Sequence, residues 1–194
     1  MKNESDIYNK EWMTGKALPA HIEQARFMVD SIVDLFHPKT VIDIGCGPCN
    51  HLNEFNNVGV EVYGIDASEH SKDFAYDPKN IRIANLKNNI GCQPAELAFC
   101  LEVIEHIDAE FEDVAIDNIL DIAGKWLIFS GAVPNQGGNN HVNEKPHQYW
   151  IDKIESKGLT FKKSMTENLR KSWKESNVQW WYWKNVMVFE RIEK

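Results

Sequence analysis

The segment Thr40-Val41-Ile42-Asp43-Ile44-Gly45-Cys46-Gly47-Pro48-Cys49-Asn50 constrains the fold more than any other part of the chain. Its first five residues are a short β-branched run, as a strand buried on both faces requires, and Gly45 and Gly47 follow at once. Glycine adopts positive φ without a Cβ clash, so the pair lets the backbone turn sharply and approach a ligand closely. A strand that runs through such a turn into a helix belongs to an open, mostly parallel sheet, where ligands bind at the carboxyl ends of the strands. About twenty residues further on, Val62-Tyr63-Gly64-Ile65-Asp66 ends a second strand in an acid placed to accept hydrogen bonds from both hydroxyls of a ribose. Taken alone, Asp66 reads equally as a helix cap, since Ser68 and Glu69 follow it. Paired with the glycine turn, it marks a nucleoside site.

A dinucleotide fingerprint requires a third glycine at the position of Asn50, where a pyrophosphate would rest on the helix start. Its absence disfavours NAD. An adenosine cofactor without phosphates has less need of that glycine, and S-adenosylmethionine is one.

The rest of the chain repeats the strand and helix alternation. From His21 to Phe36 a helical stripe runs through Ile22, Ala25, Met28, Val29, Ile32, Val33 and Phe36, and His37-Pro38 stops it. Apolar runs at 60–65, 81–84, 97–101 and 126–130 read as further strands. The tail differs: 159–163 and 180–191 read as two strands with no strong helix between them, an expected antiparallel pair. A chain of 194 residues with no linker or repeat is expected to form one domain.

Lys+Arg 21 against Asp+Glu 29 gives a net charge of -8, which disfavours a protein built to grip nucleic acid. No run of about 18 apolar residues and no secretory leader is present, so a cytoplasmic protein without a membrane span is expected. Cys46 and Cys49 form a Cys-x-x-Cys pair, but it lies inside the glycine turn with no second pair elsewhere. Reduced, structural thiols are the expectation.

Three segments together, Val41 to Pro48, Gly64-Ile65-Asp66 and Leu101-Glu102-Val103-Ile104-Glu105-His106, resemble the motifs of class I S-adenosylmethionine-dependent methyltransferases, and within these the ubiquinone-pathway O-methyltransferase-like group. The resemblance covers most of the chain. It implies a three-layer α/β sandwich with a mostly parallel seven-stranded sheet whose last strand is antiparallel. It divides the single domain 1–194 into an N-terminal helical cap (1–37), a cofactor-binding half (38–130) and an acceptor-side half (131–194). It places the loop from Gly45 to Gly47 beside the methionine moiety, Asp66 on the ribose, and Asn85 and Leu86 against adenine, with Asp43 and Leu101 as further cofactor-binding residues. Asn85 stands where the family often has Asp, and Cys49 where a third small residue is common. The implied function is methyl transfer to a hydroxyl, with an amine as second choice, of a small molecule or glycan.

After the fourth strand, Glu102, Glu105 and His106 stand at i, i+3 and i+4, one face of any helical turn. Such a set suits a divalent cation, Mg²⁺ or Mn²⁺ better than zinc, and equally a metal-free loop beside the cofactor. In the polar loop from Asn139 to His147, His141 falls where relatives carry a histidine ahead of the helix beginning near Gln148. It is the candidate catalytic residue, as a base or as a metal ligand, with His147 the rival. Lys162 to Lys184 interleaves six cations with Trp173, Trp180, Trp181, Tyr182 and Trp183, a composition suited to stacking a flat acceptor or to packing. Tyr8 and Trp12 would form a lid over the cofactor or cover the sheet. Two alternatives stay open: an RNA 2′-O-methyltransferase, and a catalytically degenerate binding module.

Overall fold

The computed structural model describes residues 7–192. Seven strands form one sheet: β1 (Thr40–Ile44), β2 (Glu61–Asp66), β3 (Ile81–Ile83), β4 (Ala95–Leu101), β5 (Ala123–Ser130), β6 (Thr160–Phe161) and β7 (Met187–Glu190). Their order is β3-β2-β1-β4-β5-β7-β6. The first five are parallel, and β7 enters antiparallel to both β5 and β6. The order reverses between β1 and β4, and at that switch point the carboxyl ends of the strands open a crevice.

Period-two alternation sends each strand's side chains to two cores. Ile42, Ile44, Leu127 and Phe129 point to one face, where α4 (Glu112–Ile122) and α5 (His147–Ser156) cover them with Ile116, Ile119, Trp150 and Ile154. Val41, Leu97, Phe99 and Ile128 point to the other, against Val29, Ile32, Phe55, Leu169 and Trp173. That second layer consists of α2 (Pro19–Phe36), α3 (Asn50–Asn57) and α6 (Lys163–Glu175). A short α1 (Lys10–Lys16) precedes them, started by Asn9, whose side chain accepts from the Trp12 amide. The expected three-layer sandwich with its antiparallel last strand is the architecture found.

The tail departs from the expectation in two places. A thirteen-residue helix, α6, connects β6 to β7. It buries only the narrow seam of Thr166, Leu169 and Trp173, so its charged composition hid it. The run Trp180-Trp181-Tyr182-Trp183 is likewise a helix, α7 (Trp180–Asn185), and only Met187–Glu190 is strand. Aromatic residues favour strands on average, but here the amides of Tyr182 and Trp183 return to the Gln179 carbonyl. Among the described residues no helix is long and apolar enough to cross a membrane.

Candidate functional site

The glycine turn is tied to the sheet by main-chain bonds. The amides of Gly45 and Cys46 both donate to the Ile65 carbonyl, at 2.7 and 3.1 Å. Gly47 N–H donates to Asp66 Oδ2 at 2.8 Å, and Ser68 N–H to Asp66 Oδ1 at 2.7 Å. Asp66 thus caps the turn from both carboxylate oxygens. Gly45 sits at φ +74, and a Cβ there would overlap the Val103 side chain. Gly47 also has positive φ, but the space beside it is open. Cys49 begins α3 at φ 57, and its thiol lies 3.4 Å from the Ser71 carbonyl. All four cysteines are unpaired.

Two cavities meet at this turn. The smaller, about 120 Å³, is lined by Ile65, Asp66, Ala84, Asn85, Leu86, Val103 and Ile107, roofed by Tyr8, Trp12 and Met13. The larger, about 420 Å³, runs from Asp43 and Leu101 across Glu102, Glu105 and His141 to Gln179, Trp180, Trp181 and Tyr182. Both are bordered by Tyr8, Trp12, Gly45, Gly47, Glu102 and His106, so they form one continuous groove. The candidate residues Asp43, Gly45, Gly47, Asp66, Asn85, Leu86 and Leu101 all lie on its walls.

Asp43 is 3% exposed and its Oδ2 has no hydrogen-bond partner. Burial first, and the Asp66 charge second, push its carboxyl up to about 8. His51, also lining the larger cavity, is held down to about 4 by burial, and its Nε2 has no partner.

The acidic turn after β4 is not one helical face. Glu102 adopts φ 53, and a single 3₁₀ turn follows over Ile104–His106. The left-handed residue breaks the helical register, and the Glu102 carboxylate meets partners on β5, the following loop and α7. Its Oε1 accepts from Ser130 Oγ at 2.7 Å and Asn185 Nδ2 at 3.2 Å, and its Oε2 from Gln136 Nε2 at 2.6 Å. Glu105, His106 and His141 are brought together instead, their ligand-type atoms all within 4.8 Å of one another. The expected trio of Glu102, Glu105 and His106 is thus replaced geometrically by one in which His141 takes the place of Glu102.

Glu105 is fully buried, and neither carboxylate oxygen has a hydrogen-bond partner. Burial, reinforced by the Glu102 charge, holds its carboxyl well above the usual range. Its main-chain carbonyl accepts from the amides of Val142 and Asn143, which clips the 131–146 loop to the turn. His106 Nδ1 lies 3.2 Å from the Asn140 carbonyl, which can only accept, so Nδ1 carries the proton and Nε2 is left with its lone pair. Burial keeps this imidazole neutral down to about 4. His141 Nε2 stands 4.0 Å from Glu105 Oε1, and the His141 ring packs edge-on to His106 at 5.0 Å. The rival His147 is used elsewhere: its Nε2 lies 3.1 Å from Asn185 Oδ1 and it does not line the larger cavity.

Sequence reasoning missed Gln136 and Gln24 on the wall of the larger cavity, and Glu144 and Asn185, which bond to its lining residues His141, Gly137, Glu102 and Gln136. Only Glu144 left a trace, the His-x-x-Glu spacing behind Gly137-Gly138. The aromatic tail divides as well. Trp173 is fully buried and donates through Nε1 to Ser31 Oγ at 2.7 Å, whereas Trp180 is 42% exposed at the cavity mouth.

The sequence profile of the methyltransferase-domain family matches residues 20–187. No curated protein matches the sequence. Solved structures match in fold at low identity. The magnesium protoporphyrin IX methyltransferase of Synechocystis PCC 6803, with bound SAH, superposes with a TM-score of 0.65 at 16% identity, covering 98% of this chain and 96% of that one. A putative methyltransferase of Haloferax volcanii, in complex with the Trm112 activator, gives 0.67 at 10% identity over 100% of both chains. A sugar N-methyltransferase from Streptoalloteichus gives 0.63 at 10% identity, covering 88% of this chain and 87% of that one.

Proposed function

The chain belongs to the methyltransferase-domain family, and we propose that it moves the methyl group of S-adenosylmethionine to a hydroxyl, or as second choice an amine, of a small molecule or glycan. The observation that carries this reading is the continuity of the two cavities at Gly45, Gly47, Glu102 and His106. The smaller one has the dimensions and apolar walls of an adenine site, with Asp66 at its edge for a ribose, and the larger one is an acceptor chamber. Asn85 and Leu86 flank the base, Gly45 to Gly47 border the methionine chain, and Asp43 meets its positive charge.

The bound cofactor supplies a methyl group already activated on a sulfonium, so the protein's work is alignment and proton removal. Trp180 and Trp181 offer faces on which a flat or sugar-like acceptor stacks. His141 Nε2 takes the proton of the acceptor hydroxyl as its oxygen bonds to the methyl carbon and the carbon–sulfur bond breaks, its electron pair going to sulfur. The Glu102 cluster with Ser130, Gln136 and Asn185 keeps the chamber wall rigid.

A metal-assisted variant draws on the buried, unpartnered oxygens of Glu105. Glu105, His106 and His141 would hold the cation, which would lower the pKa of an acceptor hydroxyl. One carboxylate and two imidazoles suit a first-row transition ion better than Mg²⁺, which favours all-oxygen shells.

Calorimetric titration with S-adenosylmethionine and S-adenosylhomocysteine, with and without Mn²⁺, tests the proposal on the wild type and Asp66→Ala. Binding that is lost in the variant supports it. No binding of either ligand by the folded wild type overturns it in favour of a degenerate binding module.

A further inference from the structure

His141 lies in a stretch, 131–146, that has neither helix nor strand, yet a proton acceptor must be held in one orientation. Glu144 provides the fixed point. Its Oε2 accepts from Asn135 N–H at 2.8 Å and its Oε1 from Gly137 N–H at 3.1 Å, and the same Oε1 lies 3.0 Å from His141 Nδ1. Two main-chain donors already converge on this carboxylate. Both oxygens already act as acceptors, and the one that accepts from Gly137 turns its remaining lone pair to the ring, so the nitrogen facing it carries the hydrogen.

A Cβ at Gly138, which sits at φ +152, would overlap the imidazole at Nε2, Cε1 and Cδ2, so the ring rests directly on the bare glycine Cα. His106 flanks it edge-on. Glycine at 138 makes the seat and Glu144 sets the register of the ring within it.

We propose that Glu144 is the positioning residue of His141, locking it in the Nδ1–H tautomer so that Nε2, which stands 4.0 Å from Glu105 Oε1, keeps its lone pair. This rests on the reading of His141 as proton acceptor given above. An isolated neutral imidazole favours the opposite tautomer, which here would set the Nδ1 lone pair against a carboxylate oxygen and leave Nε2 unable to take a proton. The arrangement follows the logic by which a carboxylate orients a catalytic or ligating imidazole through its second nitrogen.

The test reads the tautomer directly and needs no acceptor. Ring-¹⁵N-labelled protein is examined by NMR across a pH series, with His141 assigned from a His141→Asn variant. The wild type is expected to show Nδ1 at the protonated end of the nitrogen shift range and Nε2 at the unprotonated end. In Glu144→Ala the two are expected to exchange, while affinity for S-adenosylmethionine stays within about threefold because Glu144 touches none of the cofactor wall. A wild type in the Nε2–H form overturns the proposal without any variant, as does a folded Glu144→Ala that keeps Nδ1–H. Failure of the wild type to bind S-adenosylmethionine would instead strike the methyltransferase reading and leave the tautomer result standing.

Discussion

The two halves of the groove are held by different kinds of bond. On the cofactor side the backbone itself does the holding: Gly45 and Cys46 donate to the Ile65 carbonyl, and Gly47 to Asp66. On the acceptor side the wall is held by side chains, with Glu102, Gln136 and Asn185 bonded to one another and Glu144 gathering two amides and an imidazole. Main-chain anchoring needs glycines and one acid at fixed spacing. Side-chain anchoring accepts many polar residues at many spacings, so the second half can vary while the first persists.

The sharpest way to break this contrast is to compare two alanines in the same turn. Gly45→Ala must displace Val103 as well as bear positive φ, and should weaken S-adenosylmethionine at least about 100-fold or prevent folding. Gly47→Ala meets no atom and bears only backbone strain of about 1–2 kcal/mol, so a loss of no more than about tenfold is expected. Equal losses in calorimetry would show that steric fit against Val103 is not what fixes the turn.

Asn185→Ala probes the other half. It removes partners from Glu102, Gln136 and His147 together, and thermal melts should show a loss of about 2–3 kcal/mol. Affinity for S-adenosylmethionine should change less than about threefold if the two walls are held independently. A large loss of affinity would merge the halves into one cooperative network.

The pH dependence of stability sharpens the cofactor side. Asp43 is raised to about 8 in the fold, so the native state holds a proton that the unfolded chain has released, and stability falls as pH rises towards 8. His51 and His106, both held down to about 4, act oppositely, but their contribution is complete above the unfolded histidine value of about 6.5. Between pH 6.5 and 8 the Asp43 effect therefore stands clear of these two, at up to about 2 kcal/mol, or about 4–8 °C in Tm. Asp43→Asn should flatten the Tm profile in that window, and an unchanged slope would assign the dependence to other groups.

Smallest should be Gln24→Ala, which cuts the side-chain bond from Gln24 Oε1 to the Gln179 amide, 2.7 Å long. A loss of about 1 kcal/mol is expected in urea melts, with a shift in tryptophan emission reporting Trp180 and Trp181. A change in emission without any loss of stability would show that the mouth of the chamber moves freely of the fold.

The same contrast explains what could be read from the sequence. The strand Thr40–Ile44, the glycine turn and Asp66 announce themselves because burial on both faces and positive φ leave few residue choices. The sheet with its antiparallel last strand followed from that beginning and from the resemblance it carries. The helical face expected for Glu102, Glu105 and His106 is interrupted by φ 53 at Glu102, which no helical spacing foretells, and His141 joins Glu105 and His106 from a distant loop. His141, proposed from its position before a helix, lines the larger cavity, but its partner Glu144 is an ordinary polar residue until the loop folds. The α7 aromatics misled for a physical reason: strand propensity averages over contexts, and a helix lying over a cavity is held by what it covers.

Gln24 and Gln179 are 155 residues apart in sequence and bonded in space. The chamber mouth is therefore assembled from opposite ends of the chain, with Tyr8, Trp12 and Gln24 on one side and Trp180 to Tyr182 on the other. During synthesis the glycine turn, β2 and Asp66 can find each other long before α7 leaves the ribosome. The acceptor wall is the last part of the groove to close, so the nascent chain can form its cofactor half while the place of its substrate is still open to water.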